Sequence, residues 1–290
     1  MDLDRLLSDI IRGQWAIDFR SSSGYLSIAA KIINGEPLSY QDKPSSLVIS
    51  ARTTAGPSFE SFDDAPDGSV AIIPVKGILR KYDSLSTFGT ESIANTLLAA
   101  YSYDKISAVI LDIDSPGGSV NAGPPLTSAI DRRNKPVLAF GDQMLSLGYL
   151  IAAHTDKIIA SNDFSAMFGS IGIVASFVDM KDKLANDGIK IHEIYPPESV
   201  NKNEAVNLAL TGDYDLIKKE MLSPLAIKFQ EAIRAKRGEM LNEDIPGLLT
   251  GKEFYTDLAI LGGLVDEVGD LNYAISQAMD MAVVNNFMKS

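Results

Sequence analysis

The sequence predicts an α/β fold built on a mostly parallel sheet. Strand-like runs alternate with helical patterns through the middle of the chain, as expected for parallel strands with helical crossovers. The run Ala108–Ile113 (AVILDI) is apolar without strict alternation, the mark of a strand covered on both faces. With 290 residues and 46% hydrophobic content, the chain can bury a sizeable core.

From the N-terminus, residues 1 to about 36 read as helical. Leu3, Leu6, Leu7 and Ile10 form one apolar stripe, and Tyr25, Ile28, Ala29 and Ile32 a second. Asn34-Gly35 ends that pattern, with Pro37 just beyond. Ser39 to Gly68 is rich in Ser, Pro, Asp and Thr and reads as a linker, broken only by Leu47-Val48-Ile49. The core begins with Val70–Val75, followed by strands at Ala108–Ile113, Val137–Phe140 and Lys157–Ala160. Helical patterns fall at Ser92–Tyr101, Leu126–Arg133, Ser146–His154 and Asp213–Arg237, with Gly238 placed to cap the last. The expected organisation is an N-terminal helical arm and linker (1–68), a main domain (69–275) and a C-terminal tail (276–290).

Bulk properties narrow the function. The formal net charge is −12, and no basic patch stands out, so nucleic acid is not an expected partner. There are no cysteines, which excludes disulfides, thiolate metal sites and a cysteine nucleophile. The two histidines, His154 and His192, rule out a His-rich metal site, and any Ser-His-Asp triad must use one of them. His154 falls on an apolar helix and reads as a core or capping side chain; His192 falls in an expected strand, Ile189–Ile194. No cofactor or metal is expected. The opening MDLDRLLSDIIRG lacks the apolar core of a signal peptide, and no run of some 18 apolar residues occurs, so no membrane anchor is expected.

Two strand-to-helix turns carry the chemistry. Asp114-Ser115-Pro116-Gly117-Gly118-Ser119 follows the AVILDI strand. Its glycines leave backbone N–H groups open to a ligand, which suits an oxyanion, although an ordinary tight turn has the same composition. Gly141–Tyr149 (GDQMLSLGY) links the next strand to a helix. Ser146 at its first turn sits in positive potential, and the Leu147 N–H is a second candidate donor; an N-cap serine is the plain alternative. No G-x-S-x-G elbow is present. Asp112 and Asp114 alternate along a strand end and offer a carboxylate pair, but their separation is not legible in sequence.

Five blocks, taken together, resemble the signal peptide peptidase A (SppA) family of serine peptidases. Ser146–Ala153 followed by Asp156-Lys157-Ile158 resembles the nucleophile segment, and Asp114–Gly118 the oxyanion turn. Phe168–Ile173 (FGSIGI) resembles its Gly-Ser-Ile-Gly-Val segment. Thr250–Phe254 (TGKEF) and Leu261–Gly269 (LGGLVDEVG) resemble its closing motifs. The resemblance implies a Clp protease/crotonase fold, a spiral of ββα units, and peptide-bond hydrolysis by a Ser-Lys dyad. It implies Ser146 as nucleophile, Gly118 and Leu147 as oxyanion donors, Ser170 as the residue orienting the lysine, and Lys202 as general base. Lys202 lies in Tyr195–Glu204 (YPPESVNKNE), 56 positions after the serine; the default for a lysine is a solvated surface. A lysine base must be neutral, hence desolvated, and the neighbouring Glu198 and Glu204 are expected to point away from it. The sequence departs from the family in its bulky Met144, Leu145 and Leu147, expected to reshape the cleft, and in Pro196-Pro197-Glu198.

The missing anchor, the length and the Gln14-Trp15-Ala16-Ile17 region between helices resemble the phage head-maturation branch of that family. That branch implies a soluble homo-oligomer in the host cytoplasm, inside the prohead, cutting scaffold and capsid proteins. Alternatives are a bacterial peptidase digesting signal peptides, an inactive family member serving as an assembly subunit, and a crotonase-like acyl-CoA enzyme.

Overall fold

The computed structural model describes residues 14–17, 50–53, 58–84, 87–177, 179 and 181–289. The expected helices over 1–13 and 18–36, and the Leu47–Ile49 break, lie outside them. The elements are β1 (Gln14–Ile17), β2 (Ser50–Arg52), β3 (Ser69–Lys76), α1 (Thr90–Ser102), β4 (Ile106–Ser115), β5 (Gly117–Ser119), α2 (Gly123–Asp131), β6 (Val137–Leu145) and α3 (Leu147–Ala153). There follow β7 (Lys157–Ala160), β8 (Met167–Gly169), β9 (Val174–Ala175), α4 (Lys181–Asn186), α5 (Glu204–Leu210), α6 (Ser223–Arg237), β10 (Glu253–Tyr255), α7 (Thr256–Leu261), β11 (Glu267–Val268) and α8 (Leu271–Lys289).

The main sheet runs β10-β8-β6-β4-β3-β2, with β7 on β6 and β11 on β7. The pairs β3–β4, β4–β6, β6–β7, β6–β8 and β7–β11 are parallel; β2 and β10 add antiparallel edges. β6 pairs β7 through Leu138–Gly141 and β8 through Gln143–Leu145, so one edge serves two strands at its two ends. This is the α/β architecture on a largely parallel sheet that the alternation of strand and helix patterns led to.

The apolar run in β4 behaves as its composition requires. Val109, Leu111 and Ile113 enter one core, while Ala108 and Ile110 enter a second on the opposite face. β3 divides likewise, with Ala71, Ile73 and Val75 on the first face and Val70 and Ile72 on the second. The period of two sends alternate residues to opposite sides, so a strand apolar throughout needs cover on both. Buried residues of α1, α2, α3 and α6 supply the first cover. The second comes from Ala274, Ile275, Ala278 and Ala282 of α8.

Four sequence expectations are corrected. Residues 14–17 are a strand, not part of a helix: Trp15 and Ile17 favour extended backbone, and two strand edges are there to pair with. The described part of the linker joins the body, since β2 pairs β3 and Phe62 and Ala65 are buried. Residues 276–289 are no tail; their small apolar side chains recur at helical spacing and pack on the sheet. The expected strand at Ile189–Ile194 is irregular and exposed, with His192 exposed too, because its apolar side chains find no sheet partner.

Candidate active site

Ser146 occupies the junction between β6 and α3. Its backbone has φ 51° and ψ −115°, a left-handed conformation that costs a non-glycine residue about 1–3 kcal/mol and is characteristic of functional positions. The junction is fixed from both sides. Leu145 pairs with Gly169 of β8, and the Ser146 N–H donates to the Gly169 carbonyl at 2.8 Å. On the helix side the Leu150 N–H donates to the Ser146 carbonyl at 3.0 Å. The side chain is free of an N-capping hydrogen bond, so the N-cap alternative for this serine falls. Among the described residues, Ser146 Oγ has the Gly172 carbonyl at 3.5 Å as its hydrogen-bond neighbour.

The glycine turn packs against it. A Cβ on Gly117 would collide with the Ala16 carbonyl and stand 3.0 Å from Ser146 Cβ, and Gly117 has φ +103°. A Cβ on Gly118 would strike the Leu79 backbone. Only glycine fits either place. Ser115, fully buried, sets the turn: its Oγ donates to the Gly77 carbonyl at 2.7 Å and accepts the Gly117 N–H at 3.1 Å. This positioning serine was missed in sequence, although it stands in the quoted turn.

The order of donors along β5 follows from strand alternation. Leu79 N–H donates to the Gly117 carbonyl, and Ser119 N–H donates to the Leu79 carbonyl. Those groups face Leu79, which leaves the Gly118 N–H and carbonyl on the opposite edge, toward the β1 side. Leu147, the first residue of α3, contributes its N–H at the helix start.

The other sequence-derived site residues divide. Ser170 follows β8 with φ 53°, one residue beyond the Gly169 that holds the Ser146 amide, and its N–H donates to the Lys252 carbonyl at 2.7 Å. The structure thus brings the glycine turn against Ser146, with Leu147 next in the chain and Ser170 one residue beyond the strand that holds the Ser146 amide. Lys202 does not join them in the single chain: it lies exposed on the turn before α5, where its N–H donates to the Ser199 carbonyl. Glu198 and Glu204 are exposed as well, and neither forms an ion pair with it among the described residues. Met144, Leu145 and Leu147 are all buried, Met144 and Leu147 within the larger core cluster.

Several motif residues are structural. Asp156 pairs with Arg133 at 2.7 Å and accepts the Val137 N–H at 2.9 Å, fixing β7 beside β6. Tyr149 is fully buried and donates to the Leu264 carbonyl at 2.9 Å; burial pushes its phenol well above the ordinary range. Asp266 accepts from the Ile158 N–H at 2.7 Å and pairs with the buried Arg237 at 2.5 Å. His154 caps α3 and faces Asp131 at 3.0 Å, as its apolar helix implied, and burial lowers its pKa below 6.5. Asp112 pairs with Lys76 at 2.7 Å, while burial, then Asp142, raises the Asp114 carboxyl. Among the described residues no His, Cys, Asp or Glu cluster is arranged to hold a metal. No helix among them is long and apolar enough to cross a membrane.

Protease 4 of Haemophilus influenzae is 28% identical over 214 residues, covering 72% of this chain and 34% of that protein. Head-tail preconnector protein GP5 of Enterobacteria phage P21 is 28% identical over 221 residues, covering 71% and 42%. Capsid assembly protease C of Escherichia phage lambda is 26% identical over 189 residues, covering 61% and 42%. The chain thus spans well under half the length of these relatives. Among solved structures, a membrane-bound stomatin-specific protease superposes with a TM-score of 0.48 at 16% identity, covering 73% of this chain and 84% of that one. The model of peptidase family S49 matches residues 129–285, more than half of the sequence, and the chain belongs to that family.

Proposed function

We propose that this chain is a serine endopeptidase in which Ser146 attacks the peptide carbonyl and Lys202 takes its proton. The observation that carries the reading is the Ser146 junction: a buried serine at positive φ, set between a helix start and a glycine turn that packs within 3.0 Å of its Cβ. In the first step Oγ bonds to the carbonyl carbon, its proton passes to the lysine amine, and the oxyanion is held by the Gly118 and Leu147 N–H groups. Collapse breaks the C–N bond, the lysine returns the proton to the leaving amine, and water then hydrolyses the acyl ester.

The lysine step needs an amine removed from water. Ile194, Val200 and Val206, close to Lys202 in sequence, are exposed apolar side chains. We assign them to an interface that forms when copies of the chain associate, with Lys202 desolvated as that surface is covered and Ser170 orienting it. The relatives named as a capsid assembly protease and a head-tail preconnector support a role in phage head maturation, with scaffold and capsid proteins as substrates inside the prohead.

The test is intact-mass analysis of the chain co-expressed with its neighbouring gene products, beside Ser146→Ala and Lys202→Ala. The parent should shorten a scaffold or capsid protein and both variants should leave it whole. Equal cleavage by both variants would overturn the dyad; cleavage of added signal peptides with the scaffold left intact would move the role to the bacterial branch.

A further inference from the structure

β1 is four residues long, and its neighbours in space are the working parts of the site. Along one side it runs antiparallel to β5, with Trp15 opposite Ser119, Ala16 opposite Gly118 and Ile17 opposite Gly117. Along the other it runs antiparallel to β9, with Gln14 opposite Ala175 and Trp15 opposite Val174. The order in this small sheet is β5-β1-β9, so β5 and β9 meet only through β1. Take β1 away and two open strand edges flank Ser146, one bearing the glycine turn, the other following Gly172. Such edges bind an extended peptide by main-chain pairing.

The register sharpens the point. The N–H left open by alternation in β5 belongs to Gly118, and the residue opposite Gly118 is Ala16. The Ala16 carbonyl and Ser146 Cβ crowd the same face of Gly117. A main-chain carbonyl of this chain therefore stands beside the nucleophile and faces the oxyanion donor, where the carbonyl of a substrate has to come. The occupant is well seated: Trp15, Ala16 and Ile17 are all buried.

We infer that residues 14–17 fill the substrate groove of their own chain, so that this form of the protein is shut. The inference rests on the reading of Ser146 as nucleophile. It is consistent with the other half of the site, because the form that has β1 in the groove also has Lys202 out in solvent, and a carbonyl beside a serine without its base is stable. Tethering explains how so short a strand holds its place: a covalently linked segment acts at an effective concentration in the millimolar range, far above that of a free peptide. It also explains how the site opens, since few main-chain pairs must break to release it.

Trp15 is the chain's one tryptophan, so its fluorescence reports the strand directly. Ala16→Asp puts a carboxylate into the buried slot and should expel β1. The experiment compares the full-length parent and this variant by acrylamide quenching of Trp15 and by the rate at which a fluorophosphonate labels Ser146, with Ser146→Ala as blank. The expected result is a shielded Trp15 and slow labelling in the parent. The variant should show severalfold stronger quenching, red-shifted emission and labelling at least tenfold faster, with unchanged far-ultraviolet circular dichroism. Trp15→Ala, which adds no charge, repeats the labelling arm should the first variant fold poorly. A Trp15 quenched as readily in the parent as in the variant overturns the inference, as does an unchanged labelling rate once the strand is out. Labelling of neither chain beside a shielded parent Trp15 faults the nucleophile instead, because the quenching arm reads the strand's seat without it.

Discussion

The two residues proposed as a dyad stand in opposite physical surroundings. Ser146 is held by strand pairing behind it, a helix in front and packed side chains beneath, including Met144, Leu145, Leu147 and Phe168. Lys202 stands in a stretch, 181–214, where Ala209 is buried while Ile191 is 68%, Ile194 91% and Val200 73% exposed. The first region has its strain balanced by a finished core. The second carries apolar surface that nothing in the single chain covers. Under the proposed dyad, the serine half is held in place by the fold of the single chain, while the lysine half lies in surroundings that the single chain leaves open to water.

The largest effect should come from the exposed side. Lys202→Arg keeps the positive charge but replaces an amine that can become neutral with a guanidinium that cannot. Peptide hydrolysis should fall by about a thousandfold or more, and a turnover assay showing near-parental rates would end the contrast, since Lys202 would then be only a cation. Next is the buried side. Arg237→Ala strips the partner from Asp266 in the clamp that holds β7, and should cost about 3–5 kcal/mol in urea unfolding. Ile194→Ser in the exposed stretch should change the same measurement by less than about 0.5 kcal/mol, while weakening self-association in sedimentation. Comparable losses of stability from the two would show the stretch to be as structural as the core.

Smaller than the clamp loss is the effect of Ser146→Gly. Glycine tolerates φ 51° without penalty, so the variant should gain about 1 kcal/mol of stability or somewhat more while losing activity. A thermal midpoint below that of the parent would mean that the serine side chain stabilises the junction instead of straining it. The smallest effect is a pH slope. His154 has its folded pKa held below 6.5, so the unfolded chain binds more protons as pH falls through that value. Stability from this group should drop from pH 6.5 downward and level off below the folded pKa, and His154→Gln should flatten the slope. The charges facing it are Asp131, then Lys236 and Arg133. An unchanged slope in the variant would assign the loss elsewhere.

How much of this was legible in sequence depended on whether a residue's partners lie close along the chain. Strands β3, β4 and β7, the helices between them and the Gly238 cap are written in local apolar periodicity. So was the turn-and-serine pair, because each motif sits at its own strand end. Trp15 and Ile17 were misread because an isolated four-residue strand gains its form wholly from β5 and β9, a hundred or more positions away. The tail was misread because Ala274, Ala278 and Ala282 are weak apolar signals until a sheet lies under them. Ile189–Ile194 failed in the other direction: its alternation is real, but alternation makes a strand only where an edge is available to pair.

The placement of α8 has a consequence for biosynthesis. The strands it covers are complete by Val268, yet Val70, Ile72, Ile110 and Leu138 stay open to water until residues 274–282 have left the ribosome. For that interval the nascent sheet displays an adhesive apolar plane, the kind of surface that holding chaperones bind.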